Sequence, residues 1–168
     1  MKLLISSFLI ISFFIGCGYK PSSYYAKNAI TGNVYVELKV DINNAKNSVY
    51  VKDAMNDMVL NQFKASLTND KSTADTLVTL GLSSVSNIAL STDSNGYTNS
   101  YRTRVNILVT YQKRDEEIRS LSVSDYYDYA VDTDSSITDL KKNTAVKFAA
   151  TKALSSLFSK IAINTMKE

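Results

Sequence analysis

The only cysteine of the 168-residue chain, Cys17, carries its most reactive side chain. It has no second cysteine for a disulfide, and the chain has no histidine to act as its base or as a zinc ligand. The 5 glycines are too few to indicate a glycine-rich phosphate loop. Carboxylate pairs such as Glu116-Glu117 and Asp132/Asp134 fall in predicted turns. We therefore expect a protein that is not an enzyme and uses no cofactor, with a carboxylate hydrolase as the alternative.

The segment before Cys17 has the features of an export signal. Lys2 gives a positive start, and an apolar run of about thirteen residues follows it. A membrane-spanning helix needs about twenty apolar residues. The sequence Ile15-Gly16-Cys17 resembles the lipobox of bacterial lipoproteins, with Phe14 where leucine is usual. The alternative is an ordinary secretory signal with a chance cysteine nearby.

The lipobox resemblance implies that residues 1–16 are cleaved and that Cys17 carries a diacylglyceryl group and an N-acyl chain. Gly18 follows the cysteine where an aspartate would favour retention in the inner membrane. We therefore expect an anchor in the outer-membrane lipid with the body on the periplasmic side. Several acyl chains together give stable anchoring.

The chain after the signal is long enough for one folded domain. Residues 17–32 contain the sole proline and no hydrophobic period, which predicts a lipidated cysteine followed by a flexible tether. Residues 33–168 are predicted to form a single α+β domain. The formal net charge of +3 does not indicate a nucleic-acid partner, because such proteins carry a clearly basic patch.

A strand and a helix are predicted in the first half of the domain. The strand is indicated by apolar residues at every second position, Val34, Val36, Leu38, Val40 and Ile42. The helix, over about 49–67, is indicated by apolar residues every three to four positions, with Asn47 or Ser48 as its N-cap.

Three further strands follow. The first begins near Asp75 and changes register near Ser83-Ser84. Asn95-Gly96 predicts a tight hairpin turn with positive φ at both residues. The next strand, over 101–112, alternates strictly. The last has an apolar face formed by Leu121, Val123, Tyr127, Tyr129 and Val131.

The chain ends in a predicted helix that begins at a capping box, Ser136-x-x-Asp139, and runs to about Met166. Its expected buried stripe is Leu140, Thr144, Phe148, Thr151, Leu154, Phe158 and Ile161, broadened by neighbouring alanines. The predicted fold is an α+β two-layer sandwich of order β-α-β-β-β-α. Two helices pack on one face of a four-stranded, mainly antiparallel sheet.

Basic side chains on the outer sheet face are the candidate binding residues. Arg102 and Arg104 are two apart on one strand and share a face, and Lys113 and Arg114 follow at its other end. Guanidinium groups bind phosphate or carboxylate through paired donors. The alternative is an ordinary solvated face. Tyr126, Tyr127 and Tyr129 similarly fit either core filling or a contact surface.

The features together resemble the lipopolysaccharide-assembly lipoprotein family LptE. They are the Cys17-Gly18-Tyr19 start, the element order, and a long hairpin with Asn95-Gly96 at its tip and Tyr101 opening the next strand. The resemblance implies a plug that sits inside an LptD-like outer-membrane β-barrel, assists its assembly and helps deliver lipopolysaccharide to the outer leaflet.

The resemblance also implies contact with lipopolysaccharide. Relatives have a basic residue before the Asn-Gly tip, whereas this chain has Ser94. The lipopolysaccharide-binding candidates are therefore Arg102, Arg104, Lys113 and Arg114. A periplasm-facing activator of a cell-wall synthase is the alternative function. A tether of about fourteen residues spans under roughly 50 Å, which favours a partner in the same membrane.

Overall fold

The computed structural model describes residues 22–40, 45–131 and 138–165. The elements are, in order, α1 (Ser22–Ala29), β1 (Asn33–Lys39), α2 (Ala45–Met58) with a π-helical end (Val59–Phe63), β2 (Ser66–Leu67), β3 (Thr76–Thr92), β4 (Thr98–Lys113), β5 (Arg119–Ala130) and α3 (Asp139–Thr165). Several predicted features lie outside these residues, namely the signal, Cys17, Ile42, Asp132, Asp134, the Ser136 cap and Met166.

The sheet has five strands in the order β2-β1-β3-β4-β5. Strands β3, β4 and β5 are antiparallel neighbours, while β1 runs parallel to both β2 and β3. The α+β class is confirmed, but the four-stranded, mainly antiparallel sheet differs from this mixed one. The parallel pairing arises because α2 carries the chain back along the sheet before β3 begins, as in other crossover connections.

Helix α2 begins at Ala45, so neither Asn47 nor Ser48 is its N-cap, and Ser48 is buried within the helix. Its predicted apolar stripe is confirmed by the burial of Val51, Met55, Met58, Val59 and Phe63. The predicted end at Leu67 is wrong. Lys64 adopts a left-handed conformation with φ 57°, which stops the helix and releases the next residues to form β2 beside β1.

The β3–β4 hairpin is confirmed, including a register shift between Leu82 and Ser84. At its tip Gly96 has φ +84°, whereas Asn95 is not in the positive-φ region, so the predicted turn is wrong at that residue. The Gly96 N–H donates to the Asp93 carbonyl at 3.1 Å, and the Asp93 N–H donates to the Tyr97 carbonyl at 2.8 Å. A three-residue loop of this kind needs positive φ only at its glycine.

Helix α3 buries part of its predicted stripe, since Leu154, Ile161 and the predicted neighbouring alanines are buried, but the buried face is rotated away from the rest of the stripe. Its buried face is Ala145, Val146, Ala149, Ala150, Ala153, Leu154, Leu157, Ile161 and Ala162. Leu140 is 74% exposed and Phe148 is 47% exposed, so these two members of the predicted stripe face outward. The small alanine side chains let the helix lie close to the sheet, while Phe148 stacks at the flank on Tyr127, with ring centroids 4.9 Å apart.

Part of the segment predicted as a flexible tether is folded. Residues 22–29 form α1, which packs against α3, and Ala26 and Ile30 are fully buried. Two apolar residues spaced by four in so short a segment give too weak a period to distinguish a helix from a linker. The body of the domain thus begins near residue 22 rather than 33.

Gly32 fixes the connection from α1 to β1. It has φ +72°, and a Cβ at this position would lie 2.5 Å from Oδ2 of Asp75. The same Oδ2 accepts a hydrogen bond from the Asn33 N–H at 2.8 Å. Only glycine satisfies both the backbone conformation and this close approach. None of the helices among the described residues is long and apolar enough to cross a membrane.

Candidate functional site

The outer face of the sheet, opposite the helices, carries the two predicted arginines. The register of β4 and β5 places Arg102 opposite Asp128 and Arg104 opposite Tyr126. Directly opposed residues on antiparallel strands project to the same face. The prediction that Arg102 and Arg104 share one face is therefore confirmed, while their ligand role stays a prediction.

Arg102 is already engaged within the protein. Its Nε donates to Asp128 Oδ1 and its second guanidinium nitrogen donates to Oδ2, each at 2.7 Å. Its Cζ also lies 3.8 Å from the centroid of the Tyr126 ring. Hydrogen bonds from Arg102 hold the pKa of the Asp128 carboxyl below its usual range, and the same bonds raise the pKa of the guanidinium. This ion pair is therefore intact at neutral pH.

Arg104 has guanidinium N–H donors that no described residue uses. It is exposed, and its Cζ lies 5.7 Å from the centroid of the same Tyr126 ring. Within residues 22–40, 45–131 and 138–165 it makes no hydrogen bond or ion pair. Its guanidinium is held beside an aromatic ring yet can still bind an anion through paired N–H groups.

Lys152 of α3 joins this group. Its Nζ lies 4.9 Å from the Tyr126 ring centroid and 3.4 Å from Asp125 Oδ1, and it donates to the Tyr126 carbonyl at 2.9 Å. We call Arg102, Arg104, Tyr126, Asp128 and Lys152 the Tyr126 cluster. Sequence reasoning missed Lys152 and Asp128, because their proximity depends on the rotation of α3 and on the β4–β5 register.

The three tyrosines of β5 divide between the two faces of the sheet. Tyr126 belongs to the outer cluster, whereas Tyr127 and Tyr129 lie on the helix side. Tyr127 stacks on Phe148, and Tyr129 stacks on Tyr101 with ring centroids 6.0 Å apart. Of the two predicted alternatives, packing therefore describes Tyr127 and Tyr129, while Tyr126 forms part of the outer surface.

Lys113 and Arg114 are not part of the cluster. They lie about nine residues along the chain from Arg104, roughly 30 Å away at the other end of β4. Lys113 Nζ pairs with Glu116 Oε1 at 2.6 Å. Arg114 donates to the carbonyls of Ser72 and Ala74 at 3.3 and 2.9 Å. Both side chains therefore brace loops at this end of the sheet.

The pocket that contains Glu116 and Glu117 is small. It has a volume of about 160 Å³ and also contains Lys113 and Arg119. Pockets that bind small molecules usually measure about 300–1,000 Å³. Because Glu116 is paired with Lys113, the pocket does not present two opposed free carboxylates. Among the described residues no group of three or more His, Cys, Asp or Glu could hold a metal ion.

Comparisons with known proteins identify a family. The model of the family LptE, described as lipopolysaccharide-assembly, matches residues 35–161. No curated protein matched the sequence.

Solved structures of bacterial lipoproteins resemble the fold. A putative lipoprotein from Caulobacter crescentus has a TM-score of 0.51 at 9% identity, covering 88% of this chain and 97% of its own. Rare lipoprotein B from Shewanella oneidensis has a TM-score of 0.46 at 15% identity, covering 76% and 95%. At 9% identity, the likeness to the Caulobacter crescentus lipoprotein supports the fold alone.

Proposed function

The chain belongs to the LptE family of lipopolysaccharide-assembly proteins, and from this membership we infer that it acts in the outer membrane as the lipid-anchored plug of an LptD-like β-barrel. In this role it assists assembly of the barrel and helps deliver lipopolysaccharide to the outer leaflet. The family match over residues 35–161 carries the proposal, because it covers nearly all of the folded body.

The short connection to the proposed anchor supports a partner in the same membrane. Helix α1 begins at Ser22, about five residues after Cys17, so the two are at most about 18 Å apart. This is well below the roughly 50 Å that an unfolded tether up to residue 31 would allow. A domain held this close to the membrane fits a barrel partner better than a cell-wall synthase across the periplasm.

The Tyr126 cluster supports contact with lipopolysaccharide, whose phosphates and carboxylates are anionic. Arg104 offers its paired donors, while Arg102 and Lys152 add positive potential around the same ring. Asp128 and Asp125 offset part of that charge. We assign Arg104 as the principal contact and the rest of the cluster as its support.

The test is to isolate the tagged, full-length lipoprotein from outer membranes in mild detergent and to identify what stays bound at high salt. We expect a stoichiometric large β-barrel whose abundance falls when this lipoprotein is depleted. Recovery of a cell-wall synthase in its place would favour the alternative function. Recovery of no partner would refute the plug.

A further inference from the structure

Strand β3 has an open edge beyond the end of its pairing with β1. Strand β1 pairs with β3 only from Thr76 to Gly81. Residues 82–92 have β4 on one side, and no strand among the described residues on the other. An unpaired edge presents N–H and C=O groups that can pair with another chain.

This edge lacks the charged residues and prolines that often protect an edge strand. Residues 82–92 contain no charged residue and no proline, and Ile88 and Leu90 are 51% and 45% exposed. The register is regular from Ser84 to Ala89, between the shifts at Leu82/Ser84 and Ala89/Ser91. About six consecutive residues of undistorted edge are therefore available, enough for a short added strand.

The opposite edge of the sheet is guarded. Lys152 donates to the Tyr126 carbonyl at 2.9 Å, and Lys160 donates to the Ser122 carbonyl at 2.8 Å. Both lysines come from α3, which lies along β5. Lysine side chains over edge carbonyls are a recognised defence against unwanted pairing. The same sheet thus has one protected edge and one left open.

We propose that residues 84–89 of β3 receive an extended segment of the β-barrel partner as an added strand. The proposal rests on the proposed function and adds the surface through which the two proteins join. Main-chain hydrogen bonds would provide the affinity, and Ile88 would provide an apolar contact beside them. Because residues 82–92 carry no charge, the pairing would depend on main-chain hydrogen bonds and apolar contact rather than on an ion pair at the edge itself.

The position of the anchor argues against a second copy of this chain as the occupant. Antiparallel pairing of two β3 strands around residue 87 would put their Thr76 ends about 70 Å apart, on opposite sides of the pair. The α1–β1 connection, and with it the proposed anchor, lies at this Thr76 end. With connections of about 18 Å, both anchors could reach one membrane only if the paired strands lay flat on its surface. Parallel pairing of two copies through this edge would not form a closed symmetric dimer.

The experiment compares amide hydrogen exchange, at single-residue resolution, in the full-length lipoprotein free in detergent and co-purified with its barrel. Strand addition protects only the amides that point to the open edge, which are every second residue. In the complex we expect exchange to slow at least tenfold at the amides of residues 84–89 that point to the open edge. Exchange at the amides between them should not change. Burial of the whole outer face would instead protect the strands without that alternation.

A pair of variants tests the same point. Ile88→Lys and Leu108→Lys each replace a half-exposed apolar side chain on the outer face, 51% and 45% exposed respectively. Ile88 lies on the open edge, whereas Leu108 lies on β4 between two paired neighbours. We expect Ile88→Lys to lower recovery of the barrel about tenfold and Leu108→Lys to leave it unchanged.

Each result separates this inference from the proposed function. A barrel that co-purifies while exchange over 84–89 is unchanged, or slowed without alternation, overturns the inference and leaves the plug in place. Failure to recover any barrel overturns both. Protection of the edge-facing amides already in the free lipoprotein, together with a sedimentation coefficient of a dimer, would make a second copy the occupant and overturn the assignment to the barrel.

Discussion

Replacement of Arg104 by alanine tests the lipopolysaccharide contact most directly. Arg104 is exposed and makes no hydrogen bond or ion pair among the described residues, so the change removes one guanidinium and only its long contact with the Tyr126 ring. We therefore expect weaker binding of lipopolysaccharide with unchanged stability of the protein.

The size of the effect follows from the exposure of the site. A hydrogen bond to a charged group contributes about 1.5–3 kcal/mol, but ion pairs in open solvent contribute only about 0.2–1 kcal/mol. A ligand that partly shields Arg104 should lie between these limits, at about 1–2 kcal/mol. This corresponds to a rise in Kd of roughly 5- to 30-fold.

The assay is equilibrium binding of purified lipopolysaccharide to the detergent-solubilised lipoprotein. Lys147→Ala is a matched control, because Lys147 is an exposed cation on α3, in the helical layer. A second control removes the Arg102–Asp128 pair as a neutral unit, Arg102→Ala/Asp128→Ala, and we expect it to change Kd by less than about threefold. Equal losses for Arg104→Ala and Lys147→Ala would refute the site, and so would a larger loss for the neutral double variant.

Three further results are expected. Leu157→Ala removes a fully buried side chain and should lower the free energy of unfolding by about 2–5 kcal/mol. Phe148→Ala should lower it by less than about 2 kcal/mol, because Phe148 is half exposed; the reverse order in urea denaturation would contradict the observed rotation of α3. Gly32→Ala should lower Tm more than Gly96→Ala, since both have positive φ but only Gly32 also meets a close side chain, and equal shifts would contradict this. Asp128→Asn should lower Tm at pH 7. Because hydrogen bonds from Arg102 depress the pKa of Asp128 below 3.8, its stabilising effect is present above that pH and is lost as the pH falls through the folded pKa. A Tm difference that does not shrink as the pH is lowered below 3.8 would be contrary to expectation.

The strands were the most predictable part of the fold. Val105, Ile107 and Val109 alternate with polar residues, and a period of two with β-branched side chains permits only one inward face. The shift near Ser84 was also visible in the sequence, because the apolar parity changes there. These features are local, so they did not require knowledge of the rest of the chain.

The helices were less predictable, because α3 carries both large apolar residues and alanines around its circumference. The predicted stripe ran through Leu140 and Phe148 with alanines at its side, whereas the structure centres the buried face on Ala149 and Ala153. The choice depends on how closely the helix approaches the sheet. That distance is a property of the assembled layers, so the 3.6-residue period alone does not determine it.

The candidate site was predictable only in part. A spacing of two places Arg102 and Arg104 on one face of any strand. The bond from Arg102 to Asp128 depends on the register between β4 and β5, and it determines which arginine is left free. Lys113 and Arg114 were predicted at the other end of the strand, but the sequence did not show that an ion pair and loop carbonyls engage them there.

If Cys17 is lipidated as proposed above, the early start of α1 has a consequence for the order of events at the membrane. The peptidase that would cleave before Cys17 acts at the membrane, and only about five residues separate its cleavage point from the first turn of α1. A helix already docked through Ala26 and Ile30 would hold that bond close to the body of the protein. Under the proposed lipidation, acylation and cleavage should therefore precede the docking of α1.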